Sequence, residues 1–371
     1  IASQTINTTV TNNTIGPMNF TTASSGPVGI SISTGNANSN LIISNNTISG
    51  IKINQPVVLN GITISGQTGN VLITKNKIYD IKNTDTLSAS TYGAYAISLG
   101  SSLTAANITL SNNFIWDVAA NGRASTSFHN GYGVYISAGG GYNLYHNTIS
   151  LTTNQRLVTG LPACINISSS VTTPASLDIR NNIFANFQTV SAERYAIISN
   201  AASTVFAYID NNDYYTTGPN LGYLGSNRAD LTAWQTATGQ DLNSISVNPD
   251  FVSSTDLHIN TSSLAVSNNG IYLPAVQDDI DGDIRNNPPD IGADEYIYIL
   301  PGSSNPTDVL ATTISDSQID IAFIPNSSNN NVVIVFNTWG TFDVPAGTPP
   351  AVGEWFAGGT LLANTIASPY N

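Results

Sequence analysis

The stretch Leu41-Ile-Ile-Ser-Asn-Asn-Thr-Ile-Ser49 decides the fold, because altered copies of it recur along the first 215 residues. In each copy an Asn stands three residues after an aliphatic side chain and two residues before another large apolar one. The copies place this residue at Asn13, Asn46, Asn76, Asn113, Asn147, Asn182 and Asn212, which are 30 to 37 residues apart. Such intervals are typical of a solenoid in which every repeat forms one coil.

A second apolar pattern repeats in phase with the first and alternates at positions i and i+2. Its pairs are Ile30/Ile32, Ile62/Ile64, Tyr95/Ile97, Val134/Ile136, Ile165/Ile167 and Ala196/Ile198, and a Ser follows each pair. This alternation indicates β-strands with one buried face. We therefore predict an all-β chain that begins with about seven coils of a parallel β-helix, with length variation confined to the joining loops.

The recurring Asn predicts a ladder of side-chain amides. Stacked coils lie about 4.8 Å apart, so each amide can donate a hydrogen bond to the Asn of the next coil. The ladder would satisfy polar groups buried at a bend, and Asn tolerates the left-handed backbone that a corner often needs. We prefer this structural role to glycan contact through the same Asn residues.

Composition narrows the functional classes. Only 9% of the 371 residues are charged, whereas ordinary soluble domains have about a quarter. Ten Lys and Arg stand against 23 Asp and Glu, and this net charge of −13 argues against a nucleic-acid partner. No apolar run approaches the roughly 18 residues of a membrane span, so membrane insertion is not expected. Because the first coil lacks its first strand, we expect further coils, a cap or another subunit before Ile1.

Beyond the coils, a short helix is expected at Arg228–Gly239, ended by Gly239. The runs Trp234–Ile245, Asn248–Val252, Asp256–Ile259, Asp279–Arg285 and Asp290–Tyr296 resemble the closing coils of bacterial secreted right-handed β-helix proteins. The resemblance covers about residues 1–298, with a closing region at about 216–298. It implies a right-handed helix and an extracellular location. It implies no activity, since such proteins include lyases, hydrolases and non-catalytic surface proteins.

The remainder of the chain predicts a linker and a second module. Residues 299–306 have linker composition, and alternating strands are expected at Ile319–Phe323 and Val332–Phe336. Residues 307–371 resemble a fibronectin type III-like β-sandwich that follows β-helices in proteins exported by the type IX secretion system. The segment is shorter than a complete sandwich, so we expect a truncated module.

Two small motifs suggest a cation and a modification. The carboxylates of Asp279, Asp281 and Asp283 surround Gly282 and could wrap Ca²⁺, or they could form a structural turn neutralised by Arg285. The triplet Asp85-Thr86-Leu87 resembles the O-glycosylation acceptor of bacteria with type IX secretion. It makes Thr86 a glycosylation candidate, with an ordinary polar loop as the alternative.

Enlarged loops at residues 80–160 predict a glycan-binding face. Aromatic rings for sugar stacking and a few charges fall there on consecutive coils: Tyr92, Trp116, Asp117, Arg123, His129, Tyr132 and Arg156. His129 is either a solvated loop residue or the base of a lyase. Asn83-Thr84-Asp85 superficially matches a polygalacturonase motif, but Asp278-Asp279 lies about 190 residues away, and a glycosidase needs two neighbouring carboxylates.

These patterns favour a secreted, cell-surface structural or adhesive protein, filament- or matrix-forming, over an enzyme. The basis is repetition without a convergent catalytic set. Its partners would be further copies of itself or other surface proteins, and glycans are a further possibility. The alternative is a polysaccharide lyase, hydrolase or glycan-binding β-helix that uses the 80–160 loop face.

Overall fold

The computed structural model describes the chain except residues 2–3, 23–24, 87–91, 124–128, 299–305, 317, 326–330, 344–348 and 366–371. The chain forms two compact units, Ile1–Ile297 and Tyr298–Asn371. Most of the predicted linker at 299–306 therefore lies outside the described residues. Among the described helices, none has the length and hydrophobicity needed to span a bilayer.

The first unit is a parallel β-solenoid of about six turns, and each turn contributes one strand to each of three sheets. Sheet 1 contains Thr9–Thr11, Leu41–Ser44, Val71–Thr74, Ile108–Ser111, Tyr142–Tyr145, Leu177–Arg180 and Phe206–Asp210. Sheet 2 contains Thr14–Ile15, Met18–Phe20, Thr47–Ile53, Lys77–Asn83, Phe114–Ala119, Thr148–Leu151, Ile183–Asn186 and Asp213–Thr216. Sheet 3 contains Val28–Ile32, Leu59–Gly66, Ala94–Ser101, Gly131–Ile136, Ala163–Ile167, Tyr195–Ser199, Gly222–Leu224 and the antiparallel Ser226–Arg228.

The Asn ladder runs along the corner between sheets 1 and 2, as predicted. The Nδ2 atom of each Asn from Asn13 to Asn182 donates to Oδ1 of the next one, over 2.8 to 3.0 Å. From Asn46 onward, Nδ2 also donates to a carbonyl of the preceding coil, for example from Asn113 to Ile73 at 3.0 Å. The seven ladder residues thus form one continuous chain of hydrogen bonds across six turns.

The left-handed backbone at this corner belongs to the residue before each ladder Asn, which corrects the expectation that the ladder Asn adopts it. These residues are Asn12, Asn45, Lys75, Asn112, His146, Asn181 and Asn211, with φ between 52° and 60°. We call them the corner column. Four further Asn residues at another corner, Asn7, Asn40, Asn70 and Asn107, also have positive φ and bond to one another.

The register of sheet 3 corrects two of the predicted pairs. Ile97 aligns with Ile62 and Val134, so the inward pair of that coil is Ile97/Leu99 rather than Tyr95/Ile97. In the last complete coil Ile197 pairs with Ile165. The inward pair of that coil is therefore Ile197/Ser199 and not the predicted Ala196/Ile198. The reason is that the residue just before the inward Ile or Val must be small, so these residues form a column of small side chains. At Gly61, for example, an added Cβ would lie 2.5 Å from the Ala96 carbonyl oxygen. Cys164 occupies this column and is fully buried.

A short helix covers the C-terminal end of the coils. It spans Leu231–Thr238, Asp230 accepts a hydrogen bond from the Ala233 amide, and Gly239 ends it at φ 69°. The helix starts later than Arg228 because Ser226–Arg228 is a strand. Trp234 is fully buried, packs on the Tyr214 ring and donates to Asp241 at 2.6 Å, so it closes the apolar interior of the solenoid.

Residues 246–297, which we call the return segment, run back along the corner column with little regular structure. The side chain of Asn211 donates to the Asn269 carbonyl, and Asn181 bonds both backbone groups of Ile271. Four members of the corner column, Asn211, Asn181, Asn112 and Lys75, bond successively to residues 269, 271, 278 and 278. The return segment therefore connects coils that do not touch one another.

The described residues of the second unit form two antiparallel sheets. One pairs Thr307–Ser315 with Gln318–Ile324, and the other contains Val332–Phe336, Trp355–Phe356 and Gly359–Thr365. The predicted strands at Ile319–Phe323 and Val332–Phe336 are present, and Phe323 packs in the core with Ile334 and Ala363. Antiparallel strands alone do not identify a fibronectin type III module, so that resemblance stays a prediction.

Candidate functional site

An open groove of about 230 Å³ lies on the predicted 80–160 loop face. Its walls come from three successive coils: Lys82, Asn83, Thr84, Asp85, Thr86, Ala119, Ala120, Asn121, Thr153, Asn154 and Arg156. The groove is smaller than the roughly 300–1,000 Å³ of enclosed small-molecule pockets. Its amides, hydroxyls and cations suit a polar, chain-like ligand that crosses the coils.

The two cations of the groove are in different electrostatic situations. Lys82 Nζ lies 2.8 Å from Asp117 and 3.0 Å from Asp80. Burial alone would lower the pKa of Lys82, but the hydrogen bonds to both carboxylates raise it. Arg156 donates from Nε to Asn121 Oδ1 at 2.7 Å, and its terminal nitrogens make no hydrogen bond to the described residues. Arg156 is exposed, so its guanidinium can meet an anionic ligand.

The sequence-predicted glycan residues do not form one surface. Arg156 lines the groove, and Asp117 stands beside it through its contacts with Lys82 and Thr153. Trp116 is 7% exposed, stacks on Tyr79 at 4.2 Å and packs under the return segment. Tyr132 is fully buried among other tyrosines. Burial removes both of these rings from a sugar-stacking role, which corrects the prediction for Trp116 and Tyr132.

The other three candidates gather at a second place. The rings of Tyr92 and His129 are 5.5 Å apart, and the Arg123 backbone bonds the side chain of Asn130, next to His129. Burial, and secondly the charge of Arg123, lower the pKa of His129. Among the described residues, none of these three side chains lines the 80–160 groove.

Thr86 is exposed at the rim of the groove. The third residue of its proposed acceptor motif, at position 87, lies outside the described residues. Glycosylation of Thr86 stays a prediction.

The predicted acidic turn is organised around Asp279. Its Oδ1 accepts the backbone N–H groups of residues 281, 282 and 283, and its Oδ2 accepts the Glu295 N–H at 3.0 Å. Asp279 is fully buried, whereas Asp283 is exposed. Backbone donors therefore occupy the Asp279 carboxylate, and the trio Asp279, Asp281 and Asp283 does not converge on one point as a Ca²⁺ loop would.

Arg285 fixes this turn to the solenoid. It is 5% exposed, lies 3.3 Å from Glu295, and donates to the Asn112 side chain at 2.8 Å and to the Gly292 carbonyl at 3.0 Å. Burial lowers the pKa of Arg285, although the surrounding carboxylates oppose that effect. The ion pair of Arg285 is with Glu295 and not with a carboxylate of the turn, so neutralisation of the turn by Arg285 stays a prediction.

A group that sequence reasoning missed lies close by: His258, Asp281 and Asp294. One ligand atom from each lies within 4.8 Å of the others. His258 Nδ1 contacts Asp256, and Nε2 lies 2.6 Å from Asp281. Asp294 is buried, and burial raises its pKa to about 6. The Asp256-Leu-His258 motif was visible in the sequence, but nothing there indicated that Asp281 and Asp294 would meet it.

His146 occupies the corner column as a neutral, buried residue. Asn181 Nδ2 donates to its Nε2 at 2.8 Å, so the ring proton lies on Nδ1, which donates to the Gly292 carbonyl at 3.2 Å. Burial, followed by the charge of Arg285, lowers the pKa of His146 well below its usual value. This histidine anchors the return segment and is not available as a base.

Comparisons of the chain with protein-family models, with curated proteins and with solved structures found no match. The parallel β-solenoid and its Asn ladder therefore carry the functional argument, together with the groove.

Proposed function

We propose that this protein is a structural and adhesive component of the cell surface, secreted by the type IX route, whose solenoid binds a glycan in the 80–160 groove without cleaving it. The observation that carries the proposal is the composition of the groove. It presents the unpaired guanidinium face of Arg156 beside amides and hydroxyls, with Asp85 as its only carboxylate among the described lining residues. Hydrolysis of a glycosidic bond requires a pair of carboxylates, and the nearby Asp80 and Asp117 are bound to lysines.

A free arginine favours an acidic glycan. Guanidinium groups bind carboxylates in a planar, bidentate manner, which a uronic acid offers at every sugar unit. Exposed aromatic rings on the second unit support adhesion independently. Trp339 and Trp355 are each 60% exposed and stack at 5.8 Å, and such apolar surface commonly marks an interaction site. Other surface proteins and further copies of the chain are the partners we propose for it.

Titration calorimetry with acidic and neutral oligosaccharides tests the groove. We expect oligogalacturonate to bind and the Arg156→Ala variant to bind at least tenfold more weakly. Lys52→Gln is the control, because Lys52 is a cation on the coil next to the groove and does not line it. Equal affinity of parent and Arg156→Ala would refute the assignment of the groove.

A cleavage assay on the same oligosaccharides separates binding from catalysis. Release of reducing or unsaturated ends by the purified parent would favour the polysaccharide lyase or hydrolase alternative. Immunolabelling of intact cells of the native host tests display, and failure to label them would contradict the cell-surface location.

A further inference from the structure

We propose that His258, Asp281 and Asp294 form a binding site for a divalent transition-metal ion of the zinc type, which fastens three stretches of the return segment to one another. Each of the three side chains offers one ligand atom, and these atoms lie within 4.8 Å of one another. A tetrahedral zinc ion with bonds of about 2.0–2.2 Å needs separations of about 3.5 Å. Side-chain movements of about an ångström therefore complete the site.

The ring of His258 is oriented for metal binding. Its Nδ1 contacts the Asp256 carboxylate, which leaves Nε2 directed at Asp281. A carboxylate behind the distal nitrogen is the usual arrangement of metal-bound histidines, since it fixes the ring and increases the basicity of the ligand atom. The ring also packs edge-on against Phe114 at 5.0 Å, which restricts its rotation. Asp256 is thus a positioning residue.

Asp294 places a buried carboxylate beside His258. It is 7% exposed, and its Oδ2 accepts one hydrogen bond from the Ile259 amide at 2.8 Å. Its other oxygen makes no hydrogen bond to the described residues. A buried carboxylate usually has a positive partner or a full set of donors, and Arg285 is bound to Glu295 instead. The charge of His258 is what favours the Asp294 carboxylate, and a metal ion on the His258 ring would supply that positive charge in place of the ring proton.

The ligand types select the metal. Ca²⁺ takes six to eight oxygen ligands, and an imidazole nitrogen does not suit it. One histidine and two carboxylates suit zinc, with a fourth position left for water. The three ligands come from separate stretches of the return segment, and Asp278 beside the turn binds Lys75 of the solenoid. Metal binding would therefore tie three stretches of irregular chain together.

The test is titration of the purified full chain with ZnCl₂ after chelation and dialysis, followed by calorimetry and by NMR of the ring signals of the three histidines. We expect one zinc per chain, a shifted His258 signal and a higher melting temperature. Asp281→Asn should weaken binding at least tenfold, and it should fold because Asp281 is exposed. Asp283→Asn and His129→Gln are controls that should keep the parent affinity.

Three results would overturn the proposal. The first is an unchanged His258 signal in the presence of zinc. The second is equal weakening by Asp281→Asn and Asp283→Asn, which would indicate diffuse attraction to acidic groups. The third is tighter binding of Ca²⁺ than of Zn²⁺, which would favour an all-oxygen site elsewhere in the turn.

Discussion

Replacement of Asn113 by Ala should destabilise the solenoid by about 2–4 kcal/mol. Asn113 Oδ1 accepts hydrogen bonds from the Asn76 backbone N–H and from Asn76 Nδ2, both at 3.0 Å. Its Nδ2 donates to the Ile73 carbonyl at 3.0 Å and to Asn147 Oδ1 at 2.8 Å. All four hydrogen bonds are lost in the variant.

The magnitude follows from which groups keep another partner. Asn76 Nδ2 still donates to the Ile43 carbonyl, and Asn147 Oδ1 still accepts the backbone N–H of residue 113. The backbone N–H of Asn76, which is fully buried, keeps no other acceptor among the described residues. One buried donor without an acceptor costs about 1–3 kcal/mol. The Ile73 carbonyl also loses the donor Asn113 Nδ2, and the shorter side chain leaves a cavity, and both effects add to that cost.

Urea unfolding of Asn113→Ala beside Asn13→Ala measures the effect. Asn13 is the exposed first rung, and its side chain accepts no hydrogen bond from the described residues, so Asn13→Ala should lower the free energy of unfolding by less than about 1 kcal/mol. Hydrogen exchange should be faster at the Asn76 amide in the Asn113 variant alone. Equal midpoints for both variants and the parent would refute the argument that the ladder satisfies buried polar groups.

Three further predictions concern other parts of the first unit. Arg285→Ala should cost about 3–5 kcal/mol and make the return segment sensitive to limited proteolysis, since it leaves the buried Glu295 without its cation; an unchanged cleavage pattern would contradict this. Burial raises the pKa of Asp241 from 3.8 to about 6, so the folded state holds a proton that the unfolded state releases. The parent should therefore lose about 2 kcal/mol relative to Asp241→Asn as the pH rises from 4 to 6, and parallel pH profiles would disprove it. Gly61→Ala should lower the melting temperature by several degrees, because the new Cβ would lie 2.5 Å from the Ala96 carbonyl oxygen; a melting temperature equal to that of the parent would refute this.

Local patterns in the sequence were sufficient for the coils. The ladder positions, the helix stop at Gly239 and the strand at Val332–Phe336 each depend on neighbouring residues or on a strict repeat. The inward position predicted for Tyr95 is wrong. An alternation of apolar residues cannot show where a bend places two successive side chains on the inner face. Its true register depends on the small residue Ala96, which only the contact with the neighbouring coil explains.

The sites were less predictable for a physical reason. The return segment has no periodicity, and it reaches its partners across separations such as the 203 residues between Lys75 and Asp278. Trp116 is a residue type common in binding sites, but it lies in a core environment because the return segment covers it. A single sequence shows which side chains exist on a loop, but the chain that covers them is determined by tertiary packing.

The path of the return segment has a mechanical consequence. In an ordinary solenoid each coil holds only its neighbours, so a pulling force on the C-terminal side detaches coils one at a time. Here the chain leaving the last coil is fastened beside coils nearer the N-terminal end, through contacts such as those of Asn112 and Lys75. A load applied beyond residue 297 therefore first reaches the fastenings along the side of the solenoid, where several hydrogen bonds and a salt bridge resist it together. The coils behind these fastenings bear tension only after the fastenings have ruptured.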